Sequence, residues 1–310
     1  MKVLFIGFGS IARKHMTAFN SLSQQFIFYA LRSSLQSQEI EGVTSVYSWQ
    51  EVPADISFAI ISNPTNLHVE ALEQCIERNL PVIVEKPVAN TIDGLDVIVE
   101  SLEKKKLSSY VACNLRFLPV LQFLHKEIKG SSRRINEVNV YCGSDLRKWR
   151  PDTDYKKSYS AAESQGGGVH LDLFHELDYL VWILGMPKSW QGIRRSVSSL
   201  EIFSADYAHY HFFYKEYTAT ISLNYYREDA KRKIEILFDD ETWAIDLLQG
   251  TITSSDSTLI FDSNGSGIMS TYSEQAKHVI AILSGKVDSI NTIAQSIEIL
   301  KICLSSEKIN

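Results

Sequence analysis

Three short runs of this chain carry residues whose types and spacing could do chemistry. In VIVEKPV an apolar run ends at Glu85, Lys86 and Pro87. An ammonium at the carboxyl end of a parallel strand lies where open α/β sheets place their ligands. There it can bind a hydroxyl or keto oxygen, and Pro87 stops the strand and disfavours helix for Lys86. In GGGVHLDLFHELDY three glycines open onto Asp172, His175 and Tyr179, set among leucines and a phenylalanine. On one continuous helix these three would share a face, with His170 turned roughly opposite. A histidine one turn from an aspartate is a candidate general acid/base, because the carboxylate tunes its pKa and orientation. The set Lys86, His175 and Asp172 thus suits proton transfer to or from a hydroxyl. That reading needs the amine and the imidazole to converge on one carbon. The glycines are expected to give a close fit beneath cofactor or sugar.

The third run, VLFIGFGSIA, supplies Gly7-x-Gly9-x-x-Ala12 between a strand and a helix. The first glycine allows a tight turn, the second lets a pyrophosphate approach the backbone, and Ala12 is small enough for helix–strand packing. The expected cradle is Gly7, Phe8, Gly9, Ser10, Ile11 and Ala12, with the helix N-terminus facing the phosphates. An NAD site usually ends its second strand in a carboxylate. Here that strand ends at Leu31 and is followed by Arg32, Ser33 and Ser34, which suit a 2′-phosphate. NADP is therefore favoured over NAD.

The elements that must position these residues follow from the hydrophobic pattern. Strands are expected at 2–6, 26–31, 43–49, 56–62, 81–85 and 109–114, and helices at 11–24, 65–79 and 91–105. Apolar strands separated by helices mean a parallel, doubly wound sheet, a Rossmann-type α/β domain. Past residue 115 the pattern changes to a helix at 119–128, a strand at 136–142, a turn-rich stretch at 143–168 and the helix of the glycine run. The chain from 188 to 252 is mostly β, with hairpins at Lys215-Glu216 and Asp239-Asp240. This indicates an α+β second domain with a largely antiparallel, open-faced sheet. The Ser-rich stretch 251–266 reads as loop, and 274–307 as two helices broken near Gly285. The domains are expected at 1–115 and 116–310, with the C-terminal helices a candidate to pack back on the first. The aromatic sheet surface of Phe212, Phe213, Tyr225 and Tyr226 is expected to pair subunits into a homodimer or homotetramer.

Composition excludes several classes. Across 310 residues the chain is 45% hydrophobic and 22% charged, as in ordinary globular proteins. A formal net charge of −6 leaves no basic excess for general nucleic-acid binding. No run approaches a membrane span, and the N-terminus lacks the pattern of a secretory signal. Four scattered cysteines without metal-type spacing read as buried thiols in a reducing cytoplasm. No metal is expected at Asp172, His175 and His170, because His170 lies on the wrong face.

These motifs, in this order, resemble the Gfo/Idh/MocA family, relatives of glucose–fructose oxidoreductase and inositol dehydrogenase. The resemblance rests on the N-terminal fingerprint, Asn63-Pro64 with His68, Glu85-Lys86-Pro87, NLRFLP at 114–119, and the glycine run with Asp172, His175 and Asp178. It covers essentially the whole chain. It implies an NAD(P)-dependent sugar oxidoreductase in which Asn63, Pro64, His68, Glu85 and Lys86 join the cofactor set. Many relatives separate the aspartate and histidine by four residues, whereas this chain separates them by three; both intervals keep one helical face but leave the proton-transfer role open between His175, taken first with Lys86 and Asp172 assisting, and Lys86 itself. Polar groups beside aromatic rings suit a polyhydroxylated ligand, so Arg116, Trp149, Arg150, Tyr155 and Tyr159 join Lys86, Asp172 and His175 as substrate contacts. Asp154 and Lys156 lie in the same stretch. WRPDTDYKKSYSA with GGGVHLDLFHELDYLVWILG resembles the branch found in bacterial surface-polysaccharide and nonulosonic-acid pathways, which implies an activated or acidic sugar. Competing readings are a non-catalytic dinucleotide or sugar sensor of the same fold, and an NAD-dependent inositol or simple sugar dehydrogenase. Retention of the whole proton-transfer set speaks against the sensor.

Overall fold

The N-terminal run KVLFI forms β1 (Lys2–Ile6), buried from Val3 onward. In this computed structural model, which describes residues 1–36 and 38–308, β1 lies in the first of two units, built from residues 1–114 and 271–300. The unit continues with α1 (Ser10–Asn20), β2 (Ile27–Leu31), β3 (Val43–Val46), β4 (Phe58–Ile61), α2 (His68–Glu77), β5 (Val82–Glu85), α3 (Leu95–Lys105) and β6 (Ser109–Ala112). The strands form one parallel six-stranded sheet in the order β3-β2-β1-β4-β5-β6. All four residues of β4 are buried, as expected of a parallel sheet covered on both faces. The strand order reverses between β1 and β4, and sheets of this kind bind ligands beside that switch. The doubly wound architecture expected from the sequence is present. Its boundaries differ in detail: α3 begins at Leu95, after Gly94 in the left-handed region, rather than at 91. The start of the 65–79 helix is a 3-10 turn over Thr65–Leu67.

The second unit, residues 115–270 and from 301 onward, begins with α4 (Pro119–Gly130), β7 (Ile135–Gly143), α5 (Val169–Asp172) and α6 (His175–Leu184). Then come β8 (Ser189–Arg195), β9 (Tyr207–Phe213), β10 (Thr218–Asn224), β11 (Lys231–Phe238), β12 (Thr242–Asp246), β13 (Thr251–Ser254) and β14 (Leu259–Asp262). The helices α7 (Ile268–Leu283) and α8 (Ile293–Leu304) fall largely in the 271–300 segment of the first unit, and β15 (Glu307–Lys308), in the second, is the last described element. Nine strands make one sheet in the order β14-β13-β12-β11-β7-β10-β9-β8-β15. It is antiparallel except at β7/β10 and β8/β15. Strict alternation of burial along β9 leaves Ala208, Tyr210 and Phe212 inside, with Tyr207, His209, His211 and Phe213 half-covered on the other face.

Four expectations require correction. The stretch 251–266 holds β13 and β14 rather than loop: Thr251 and Thr253 take the less covered side of β13 opposite buried Ile252, and β14 pairs with it antiparallel. The α7 helix starts at Ile268, six residues before the expected 274. Phe212 and Tyr225 are fully buried, so they do not form an outer aromatic surface. The open face is instead polar, with Thr220 donating to Asn139 at 2.7 Å and Asn139 to Glu137 at 2.8 Å. Finally, the glycine run does not lead into one helix: α5 ends at Asp172, capped by Leu173 with ψ at 32°, and α6 starts afresh at His175. The four cysteines are free and buried, and burial pushes the Cys75 and Cys142 thiols up to about 12.

Candidate active site and dinucleotide cradle

The nucleotide cradle is assembled where β1, β2 and β4 end. Gly7 has φ +80°, and a Cβ there would stand 2.7 Å from the Asn63 Cα. The turn therefore admits only glycine, and it draws β4 against β1. Gly7 donates its N–H to Leu31 O at 3.1 Å, and the Ser62 hydroxyl donates to Gly7 O at 2.9 Å. Gly9 caps α1 without a side-chain hydrogen bond, and no atom lies within 4 Å of where its Cβ would be. Open space beside uncapped N–H groups is what an anionic phosphate requires. Ala12 is fully buried against the sheet, while Phe8 meets Phe5 edge-on and carries Arg13 over its ring. Phe8, Ser10 and Ile11 follow the turn, so the residues present fit a dinucleotide.

The second-strand end behaves differently from its sequence reading. Arg32 donates from Nη1 to Gln38 O at 2.9 Å, and the Ser34 hydroxyl accepts the Gln36 N–H at 3.2 Å. Arg32 and Ser34 thus close their own loop, with Ser33 between them. Among the described residues at this strand end there is no carboxylate. His68 is corrected from cofactor contact to brace: it is 1% exposed, with Nδ1 3.1 Å from Pro87 O and Nε2 3.0 Å from Asn63 O. Desolvation, opposed by these carbonyls, lowers its pKa, and a neutral ring donates to only one of the two oxygens at a time. It ties the Asn63-Pro64 turn to the Lys86-Pro87 turn. Lys86 is half-buried immediately after β5, and Glu85 turns its carboxylate back toward the Lys86 N–H at 3.2 Å.

In the second unit the glycine run has a physical explanation. A Cβ on Gly167 would collide with Tyr159 O at 2.1 Å and Ala162 O at 2.7 Å. The close fit that glycine permits is thus to the chain's own 159–162 turn, a correction to the expected fit beneath cofactor or sugar. From Gly166 to Val181 every residue is buried except Asp172 and His175. His170, Glu176 and Asp178 of the same run are paired inward. His170 Nε2 lies 3.0 Å from the Arg194 guanidinium. Glu176 accepts from Arg232 at 2.6 Å, and Asp178 accepts from Arg116 at 2.7 and 2.9 Å. Tyr179 is fully buried beside Glu176, so it does not share a face with Asp172, because the α5/α6 break rotates the two segments. Arg116 is likewise corrected: it is 4% exposed and committed to Asp178 in bidentate geometry, rather than offered to a ligand.

Around Asp172 the structure gathers several expected residues and one that sequence reasoning missed. The Tyr225 hydroxyl donates to Asp172 Oδ2 at 2.6 Å. Trp149 stands edge-on to Tyr225 at 5.3 Å and donates its indole N–H to Ser144 at 2.8 Å. Arg150 lies over the half-exposed Tyr159 ring at 5.1 Å. Burial first, and the Asp172 carboxylate next, push both the Tyr159 and Tyr225 phenols upward, so both remain hydrogen-bond donors. Tyr155 lies apart, donating to Leu200 O at 3.2 Å, and Asp154 and Lys156 hold the loop through a capping bond and Glu201. The alternation of its strand assigns Tyr225 to an outer sheet surface; its place just past the end of β10 was the available signal for the site. Among the described residues no group of three His, Cys, Asp or Glu side chains could hold a metal ion, and no helix is long and apolar enough to cross a membrane.

Comparison with known proteins agrees with the fold of the dinucleotide-binding unit. Residues 1–113 match the family model described as "Oxidoreductase family, NAD-binding Rossmann fold", GFO_IDH_MocA. The rhizopine catabolism protein MocA of Rhizobium meliloti is 26% identical over 132 residues, 42% of this chain and 39% of that protein. The scyllo-inositol 2-dehydrogenase (NADP(+)) IolW of Bacillus subtilis is 26% identical over 147 residues, 46% of this chain and 40% of that protein. The matched stretch therefore spans about two fifths of these relatives' length. A levoglucosan dehydrogenase in complex with NADH superposes with a TM-score of 0.83 at 17% identity, covering 98% of this chain and 95% of that one, which shows a shared fold. Residues 1–113 thus carry the NAD-binding Rossmann region of the Gfo/Idh/MocA oxidoreductase model, and the chain as a whole shares the fold of the levoglucosan dehydrogenase.

Proposed function

We propose that the protein is an NAD(P)-dependent dehydrogenase or reductase that acts on a sugar or polyol carbinol, with NADP preferred. The observation that carries the reading is the pair of half-exposed residues, Asp172 and His175, left in an otherwise buried run. Bound at Gly7–Ala12 with Asn63 beside it, and with no carboxylate among the described residues at the end of β2 to repel a 2′-phosphate, the nicotinamide cofactor supplies hydride acceptance and donation. Lys86 hydrogen-bonds the substrate oxygen through its ammonium group. His175 takes the hydroxyl proton on oxidation and returns it on reduction. Asp172, held by Tyr225, orients this exchange and accepts from a neighbouring hydroxyl. Trp149, Arg150 and Tyr159 line the approach and suit a polyhydroxylated ligand, because rings stack on its C–H faces while a guanidinium binds hydroxyl or carboxylate oxygens.

The names of the relatives support polyols and anhydro sugars as first compounds. The 149–159 stretch favours an activated or acidic sugar, as in surface-polysaccharide or nonulosonic-acid metabolism. Such a protein would work in the cytoplasm as a homodimer or homotetramer paired through the open, polar sheet face. Turnover of scyllo-inositol, levoglucosan and nucleotide-activated or acidic keto sugars, with NADP(H) and NAD(H) in parallel, tests the reading. Lys86→Ala should lower kcat by about a thousandfold or more while NADPH affinity stays within about threefold. Turnover surviving in that variant refutes the assigned chemistry, and tighter NADH than NADPH binding refutes the cofactor preference.

A further inference from the structure

His15 lies on α1, one turn past the glycine fingerprint, and is 2% exposed. Its Nε2 stands 2.6 Å from Oε1 of Glu85, the last residue of β5. The other oxygen of that carboxylate accepts the Lys86 backbone N–H at 3.2 Å. The bond forms in the tautomer that carries the proton on Nε2, which then donates to the carboxylate oxygen. Tyr272 meets the imidazole edge-on at 5.7 Å and carries Lys14 over its ring at 5.5 Å. Core packing alone gives no reason for this pair, since burying two polar side chains is unfavourable where apolar ones would fill the volume. The bond joins two elements with different tasks. One is the helix whose N-terminus offers N–H groups to phosphates, and the other is the strand end that presents Lys86.

We propose that His15 is a positioning residue for Lys86, acting through Glu85, so that the helix receiving the cofactor's phosphates also sets the lysine's placement. This rests on the reading of Lys86 as the ligand of the substrate oxygen. The bond fixes one carboxylate oxygen, which leaves the other aimed at the Lys86 N–H and restricts the backbone from which the ammonium reaches. His15→Phe keeps the ring and its contact with Tyr272 but loses the bond, whereas His15→Gln keeps a donor.

The test compares these two variants and Glu85→Gln by steady-state kinetics on the fastest compound of the sugar panel, with NADPH affinity read by fluorescence. Hydrogen exchange over residues 82–90 supplies a readout that needs no substrate. His15→Phe should lower kcat about tenfold or more and speed exchange of the Lys86 amide by a similar factor, while NADPH affinity stays within about threefold. His15→Gln should recover kcat to within about threefold of the parent protein. The proposal is overturned if His15→Phe keeps parental kcat and exchange, or if NADPH affinity falls by the same factor as kcat/KM. It is equally overturned if His15→Gln is as slow as His15→Phe. Where His15→Phe does not fold, Glu85→Gln takes its place with the same expected loss and the same refuting outcomes. A Lys86→Ala variant that still turns over refutes the underlying catalytic reading and not the His15–Glu85 coupling, which the exchange data judge separately.

Discussion

Replacing His170 should change how the fold responds to acid more than how it performs at neutral pH. The ring is 4% exposed, with Arg194 at one nitrogen and Lys308 contributing further positive charge. Burial first, and these cations next, hold its pKa down at about 3, against an ordinary 6.5. The folded chain therefore leaves His170 neutral at a pH where the unfolded chain protonates it. A depressed histidine contributes stability that is fully present above about 6.5 and is lost progressively as pH falls toward 3. At about pH 5 that loss amounts to about 2 kcal/mol. His170→Gln keeps an acceptor for Arg194 but cannot titrate. Urea unfolding at about pH 7.5 and about pH 5 should show the gap between parent and variant narrowing by about 2 kcal/mol on acidification. Parallel pH dependence of the two proteins would refute a neutral, desolvated His170.

Other perturbations address the neighbouring pairs and the two ends of the reaction. Arg232→Met leaves Glu176, fully buried, without its bonded cation and should destabilise the fold by about 3–5 kcal/mol in urea unfolding; a change below about 1 kcal/mol would show that the pair is dispensable. Tyr225→Phe removes the donor to Asp172 and should lower kcat/KM about tenfold or more with little change in cofactor affinity, checked by kinetics and fluorescence titration. Leu31→Asp places a carboxylate at the end of β2 and should shift the NADH-to-NADPH affinity ratio about tenfold or more toward NADH; an unchanged ratio would mean that this strand end does not read the ribose.

The sequence alone determined the elements whose signals are local. Buried runs such as FAII and the turn Gly7-x-Gly9-x-x-Ala12 are legible because apolar periodicity and glycine's backbone freedom act within a few residues. So is Lys86 at a strand end, since Pro87 marks the boundary from one position away. What the chain order could not disclose is which polar group answers which. Arg116 looked like a ligand receptor until Asp178 stood opposite it, 62 residues along the chain. Tyr225 looked like surface until β10 delivered its hydroxyl to Asp172. His15 gave no sign until α1 brought it to Glu85. The helix across residues 169–184 also broke where periodicity ran on, because helical spacing is blind to a turn that the surrounding core imposes. A hydrogen-bond partner is chosen by distance in space, and buried polar groups must find one wherever the fold provides it. For that reason the reactive types were visible in one dimension, whereas their pairing was decided only by tertiary structure.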